Sequence, residues 1–127
     1  AGIGRGFYSL NDFNLLTNWM CQQFLSKGIM LSKVYYSPYH PTHGIGNYKQ
    51  DHEFRKPNPG MIKKAAEEFY VDLSKSVLIG DKLTDIQAGK NAGIGTNIIY
   101  LGNDGAKPRS SLTYYSVSTL YDARMLI

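Results

Sequence analysis

Apolar residues recur at two different spacings along this chain, and the alternation between them predicts the architecture. Phe13, Leu16, Trp19, Met20, Gln23 and Phe24 fall at the spacing of one helix face. Ser9-Leu10-Asn11-Asp12 ahead of them has the form of a capping box with Asp in place of Glu, and Gly28 supplies the stop. Residues 34–36, Val-Tyr-Tyr, predict a strand that Pro38 ends. A long loop over residues 37–54, rich in His, Gly and Pro, comes next. Asn58-Pro59 then predicts a capped helix start, with Ile62, Ala65, Ala66 and Phe69 on one face.

The second half switches period. Residues 76–79 read as a buried strand, residues 84–91 as a short helix closed by Gly93, and residues 97–101 as another strand left at Gly102. Residues 116–118 predict a last short strand and residues 119–125 a frayed helix. Strand and helix alternate, which predicts an α/β fold around a parallel sheet.

Composition narrows the function. The 127 residues are one domain's worth of chain, and 43% hydrophobic content can fill a core. The net charge is +4, and the 14 basic residues are scattered rather than striped along one helix, so no nucleic-acid partner is predicted. No apolar run approaches the roughly 20 residues of a membrane span, so no membrane partner is predicted either. Cys21 is the only cysteine, which excludes an internal disulfide and suits a reducing, cytoplasmic setting. It lies within the first helical pattern, where packing is its expected role. The chain opens on Ala1-Gly2-Ile3-Gly4-Arg5-Gly6, without an initiator Met and with loop chemistry from its first residue.

The candidate chemistry sits in two clusters. The run Val77-Leu78-Ile79 ends in Gly80-Asp81, and Lys82 and Asp85 follow within about one helical turn. Ligands of open parallel sheets bind at the carboxyl ends of strands, where an acid can hold a hard cation and a Lys can meet phosphate. Upstream, Arg55-Lys56-Pro57 puts two more cations just before a helix start. Each feature alone has a plain reading: Asp81 as a cap, Asp85 as a first-turn acid, Arg55-Lys56 as a solvated pair. The Gly-rich opening could cradle an anion on its backbone N–H groups, but no strand precedes it as a dinucleotide fingerprint needs. His40, His43, Asp51 and His52 cluster loosely without a zinc spacing. No Gly-x-Ser-x-Gly elbow is present.

Taken together, Phe54-Arg55-Lys56-Pro57-Asn58-Pro59-Gly60-Met61 and Val77-Leu78-Ile79-Gly80-Asp81-Lys82-Leu83-Thr84-Asp85-Ile86-Gln87-Ala88-Gly89 resemble the third and fourth motifs of the haloacid dehalogenase (HAD) superfamily. The resemblance is to the branch that contains D-glycero-D-manno-heptose 1,7-bisphosphate phosphatase and histidinol phosphatase. Gly2-Ile3-Gly4-Arg5-Gly6 is similar to the tail of that branch's second motif, so the resemblance runs to about Gly102. It implies a Rossmann-like core and a Mg²⁺-dependent phosphomonoester hydrolase of carbohydrate metabolism, feeding heptose into lipopolysaccharide. Asp81 would coordinate Mg²⁺. Lys56 would stabilise the nucleophile and the transferring phosphoryl group, Arg55 and Lys82 would bind the substrate's phosphate, and Asp85 would orient a cation without reacting. Phosphoryl transfer suits such residues, because it consists mostly of positioning and charge neutralisation.

Two departures qualify that resemblance. The family's nucleophile is an Asp in an Asp-x-Asp motif on the first strand, and the only acidic pair here at that spacing is Asp51-His52-Glu53, in a loop. Covalent catalysis needs its nucleophile, so the 127 residues alone are expected to be inactive. The chain is thus expected to be one incomplete domain without its N-terminal strands, completed by a longer polypeptide or a second chain. Relatives also bind a structural zinc at positions held here by Ser37, Tyr39, His52 and Phe54, and no structural zinc is expected. The resemblance therefore implies a heptose 1,7-bisphosphate 7-phosphatase. A histidinol phosphatase and a non-catalytic phosphate-binding or scaffolding remnant stand as alternatives.

Overall fold

The computed structural model describes residues 1–102 and 105–127, and the chain falls into two compact units, Ala1–Arg55 and Lys56–Ile127. In the first unit, helix α1 spans Leu10–Leu25. Its start is a complete capping box: Ser9 Oγ accepts from Asp12 N–H at 3.1 Å, and Asp12 Oδ2 accepts from Ser9 N–H at 2.8 Å. Two of the four orphan donors at a helix start are satisfied this way. Gly28, in the left-handed region at φ +76°, lets the chain leave the helix, as the sequence predicts. The helix buries no residue fully; Leu15, Leu16 and Trp19 are exposed and Cys21 is half-buried.

Residues 34–36 do not form the predicted strand. A strand needs a neighbour to complete its ladder, and among the described residues none pairs with this segment. Tyr36 packs its ring on Phe13 instead, 4.4 Å between centroids. The long loop contains one 3₁₀ turn, Gly46–Tyr48, and is tied to the chain's opening by Ile45 N–H donating to Gly4 O at 2.8 Å. The amides of Arg5, Gly6 and Phe7 donate to carbonyls within the opening segment. That turn consumes donors the Gly-rich run would need to cradle an anion.

The second unit is an α/β layer. Helix α2 (Gly60–Phe69) precedes strand β1 (Val77–Gly80), helix α3 (Leu83–Ala92), strand β2 (Thr96–Tyr100), strand β3 (Tyr115–Val117) and helix α4 (Leu120–Ala123). The three strands pair in parallel in the order β1-β2-β3. Chain order equals spatial order, so each crossover joins neighbours, and α3 is the crossover between β1 and β2.

Core packing follows the strand period of two. Ile98 and Val117 share one face and cluster with Ala123 of α4, with Val77 and Leu126 against them. On the opposite face, Leu78 and Asn97 meet Gly89 of α3. β2 is central and buries Asn97, Ile98 and Ile99, as strands of parallel sheets covered on both faces do. β1 was expected to be buried but is only partly so: Ile79 is 40% exposed. The reason is position, because β1 is an edge of this sheet.

The N-cap position of α2 is Pro59, which makes no side-chain hydrogen bond of its own, and Asn58 directly precedes it.

Gly89 is required by close approach. A Cβ there would strike Asn97 Oδ1 and sit 3.3 Å from Leu78 Cδ1. Gly89→Ala is therefore expected to destabilise the fold by about 1–3 kcal/mol, the usual cost of overpacking. Urea unfolding checks this through the midpoint.

Candidate active site

The site is built where β1 gives way to α3. Gly80 ends the strand, Asp81 follows exposed at its carboxyl end, and Lys82 caps α3 with extended backbone. Lys82 carries no side-chain acceptor for the first-turn amides, so the usual capping arrangement is half present. The other half comes from Asp85, whose Oδ2 accepts from Lys82 N–H at 3.0 Å and from Asp81 N–H at 3.1 Å. One carboxylate oxygen thus holds two consecutive amides of the strand-to-helix turn. Its negative charge also suits the helix N-terminus.

The second oxygen of Asp85 reaches back to the upstream motif. Oδ1 lies 2.5 Å from Lys56 Nζ, with the Asp85 side chain 7% and the Lys56 side chain 48% exposed. Burial by itself would push the Asp85 carboxyl up. The Lys56 ammonium outweighs it, with help from the Lys82 amide, and holds the carboxyl below its ordinary range. Gly80 is required by the same contact: a Cβ at that position would run into Asp85 Cβ and approach its Oδ2 to 2.7 Å. The Gly of Gly-Asp makes room for the acid that ties the two motifs.

Lys56, Asn58, Gly80, Asp81 and Asp85 line one cavity of about 250 Å³, floored by apolar groups including Met61, Ile62 and Leu78. Lys56 and Asp81 thus share a cleft at the carboxyl edge of the sheet. Lys82 stands beside it as the α3 cap, its side chain outside the lining. Arg55 closes the first unit, where its N–H donates to His52 O at 2.8 Å. Asn58, expected from the sequence at the start of α2, also lines the cavity, which its place at a helix start does not reveal.

In the first unit, three of the four positions compared with zinc ligands are aromatic rings in contact. His52 stacks on Tyr39 at 3.8 Å and meets Phe54 edge-on at 5.3 Å. His52 Nδ1 accepts from Phe54 N–H at 3.0 Å. His40 Nδ1 accepts from His43 N–H at 3.0 Å and Thr42 N–H at 3.3 Å. Desolvation, with Arg55, His43 and Arg5 nearby, lowers its pKa and favours the neutral ring that this acceptor role needs. Among the described residues, no group of three or more His, Cys, Asp or Glu is placed to hold a metal. No helix among them is long and apolar enough to cross a membrane.

Residues 53–122 match the HAD-hydrolase-like family, a span that contains every residue of the cavity. The chain belongs to this family. It is 50% identical over 107 residues to D-glycero-alpha-D-manno-heptose-1,7-bisphosphate 7-phosphatase of Burkholderia mallei, covering 84% of this chain and 57% of that protein. It is 37% identical to the D-glycero-beta-D-manno-heptose-1,7-bisphosphate 7-phosphatase of Pasteurella multocida, over 100% of this chain and 69% of that one. A crystal structure of D,D-heptose 1,7-bisphosphate phosphatase from B. bronchiseptica, complexed with magnesium and phosphate, superposes with a TM-score of 0.81 at 25% identity. That superposition covers 98% of this chain and 68% of the other. The chain spans about half the length of several curated relatives it matches, 57% of the B. mallei protein and 53% of a Vibrio cholerae one. The fold is accordingly the Rossmann-like HAD core with its parallel sheet.

The Asp85–Lys56 pair makes a stability prediction whose sign follows from the lowered carboxyl. A depressed carboxyl stabilises the fold above its ordinary value of 3.8 and loses that contribution as pH falls toward the lowered native value. Asp85→Asn is expected to cost about 1–3 kcal/mol at pH 7, moderated because Lys56 is half exposed. The gap from wild type should shrink as the pH is taken down through the acid range. Urea midpoints for both proteins from pH 7 to pH 3 provide the check; a gap constant with pH contradicts the ion pair's role.

Proposed function

We propose that the protein is a Mg²⁺-dependent HAD phosphatase that hydrolyses a phosphate monoester of a heptose 1,7-bisphosphate, transferring the 7-phosphoryl group and releasing the sugar's 7-hydroxyl. The observation that carries this reading is the shared cavity, in which an exposed strand-end carboxylate, Asp81, faces the same space as an ammonium held by Asp85. The relatives' names support the substrate class. The same reading takes residues 1–127 as one incomplete phosphatase domain acting in the cytoplasm, completed by a further segment or chain.

The residues fit a hard cation and a phosphate. Asp81 offers carboxylate oxygen at the cavity wall, the donor type that Mg²⁺ takes, and no thiolate or imidazole lines the space. Asp81 would hold the Mg²⁺, which would supply neutralisation of phosphate charge. Lys56 would meet the transferring phosphoryl oxygens, its ammonium held by Asp85 so that little reorganisation is needed as charge moves. Lys82 and Arg55 would supply further positive charge to the substrate's phosphates. Asp85 would not react; two amides and an ammonium already occupy its oxygens.

Phosphate release from heptose 1,7-bisphosphate by the full-length gene product, with and without Mg²⁺, tests the proposal. Lys56→Met and Asp81→Asn are each expected to lower kcat by about 10²-fold or more, in the range found when a preorganised electrostatic partner of the transition state is removed. Histidinol phosphate is expected to be the far poorer substrate. Metal-independent turnover, or full activity in Asp81→Asn, would overturn the assignment of this cavity.

A further inference from the structure

Lys56 is held at the cavity from two directions, and only one of them involves its ammonium. Its neighbour Pro57 presents a carbonyl that accepts from Asn91 Nδ2 at 3.1 Å, across 34 residues of chain. Asn91 Oδ1 in turn accepts from Gln87 Nε2 at 2.8 Å, one helical turn back on α3. The chemistry fixes both amides. A carbonyl can only accept, so Asn91 must turn its NH₂ to Pro57, which leaves its oxygen for the NH₂ of Gln87. The donors therefore run in one direction: Gln87 to Asn91 to Pro57.

We propose that Asn91, oriented by Gln87, is a positioning residue for Lys56: α3 grips the 56–58 segment at Pro57 through Asn91 and at Lys56 through Asp85. The two grips lie six residues apart on one helix, so the helix acts as a rigid bar between them. Four rotatable bonds separate the Lys56 ammonium from its backbone. An ion pair at the tip alone leaves the stem free to swing, and anchoring the adjoining peptide removes that freedom. Segment 56–58 also contributes Lys56 and Asn58 to the cavity, so its backbone placement sets two lining groups at once. Asn91 is exposed and touches no lining atom through this bond, which is why it acts through Pro57 rather than on a ligand.

The importance of holding Lys56 rests on its proposed role toward phosphate; the hold itself does not, and NMR on the whole 127-residue chain separates the two. Asn91→Asp keeps the shape but removes the donor, and Gln87→Ala removes the orienting partner. In Asn91→Asp the order parameter of the Lys56 Cε methylene is expected to fall toward its value in Asp85→Asn. Amide exchange at Asn58 is expected to rise about five- to ten-fold while that at Ile98 and Ile99 stays at wild type, the pattern of a local release. Gln87→Ala should move both readouts the same way by less. Unchanged Lys56 order in a folded Asn91→Asp overturns the proposal. Equal exchange rises everywhere, or loss of the cooperative fold in both variants, also overturns it, because Asn91 would then belong to the fold at large. Titration of the full-length gene product with inorganic phosphate reports on the functional reading separately. If phosphate shifts no Lys56 resonance while Asn91→Asp frees Lys56, the positioning role stands and the phosphatase reading falls.

Discussion

The organisation of the site depends on a single carboxylate with three partners. Asp85 accepts the amides of Asp81 and Lys82 on one oxygen and meets the Lys56 ammonium with the other. It is 5% exposed, and a buried acid is tolerable only when charge and hydrogen bonds compensate its desolvation. Those demands become the site's geometry. The amides fix the turn that aims Asp81 out of the strand end, while the ammonium fixes a residue 29 positions upstream against the same turn. Removing Asp85 would leave the fold's outline but free both groups from one another.

The location of this hub follows from the sheet. Parallel strands in chain order put the carboxyl ends of β1 and β2 on one edge, and α3 starts from that edge. Its first turn carries Asp85, its middle carries Gly89 against the sheet, and its last turn carries Asn91 toward Pro57. A single ten-residue helix thus connects the turn, the core and the upstream segment. The site is rigid because the helix that organises it is also a core element, with Ile86 and Ala88 fully buried.

Much of this was legible in the sequence, and the failures have identifiable causes. The capping box at Ser9, the stop at Gly28, both core strands and the Gly93 terminus follow from local chemistry that tertiary contacts do not override. The strand expected at residues 34–36 failed because β propensity is only a capacity to pair, and no described strand pairs with it. Burial of Ile79 was misjudged because an apolar run does not reveal whether its strand is central or an edge. At the site, Asp81, Asp85 and Lys56 stood out as charges at fixed spacing. Asn58, Asn91 and Gln87 did not, because a neutral amide has no local signature and its partner lies 34 residues away in the case of Asn91. The Gly80–Asp85 contact could have been suspected from Gly-Asp-x-x-x-Asp, whose spacing places the second acid over the glycine.

On the function proposed above, Asp85 assembles Lys56 and Asp81 into one site for a cation and a phosphate. A crystal structure of the chain grown with Mg²⁺ and inorganic phosphate tests it most directly. The expected result is Mg²⁺ on an Asp81 oxygen, phosphate against Lys56 Nζ, and Asp85 still holding its two amides and the ammonium. Phosphate and metal bound away from this cavity, or Lys56 turned away from an Asp85 that stays in place, would contradict it.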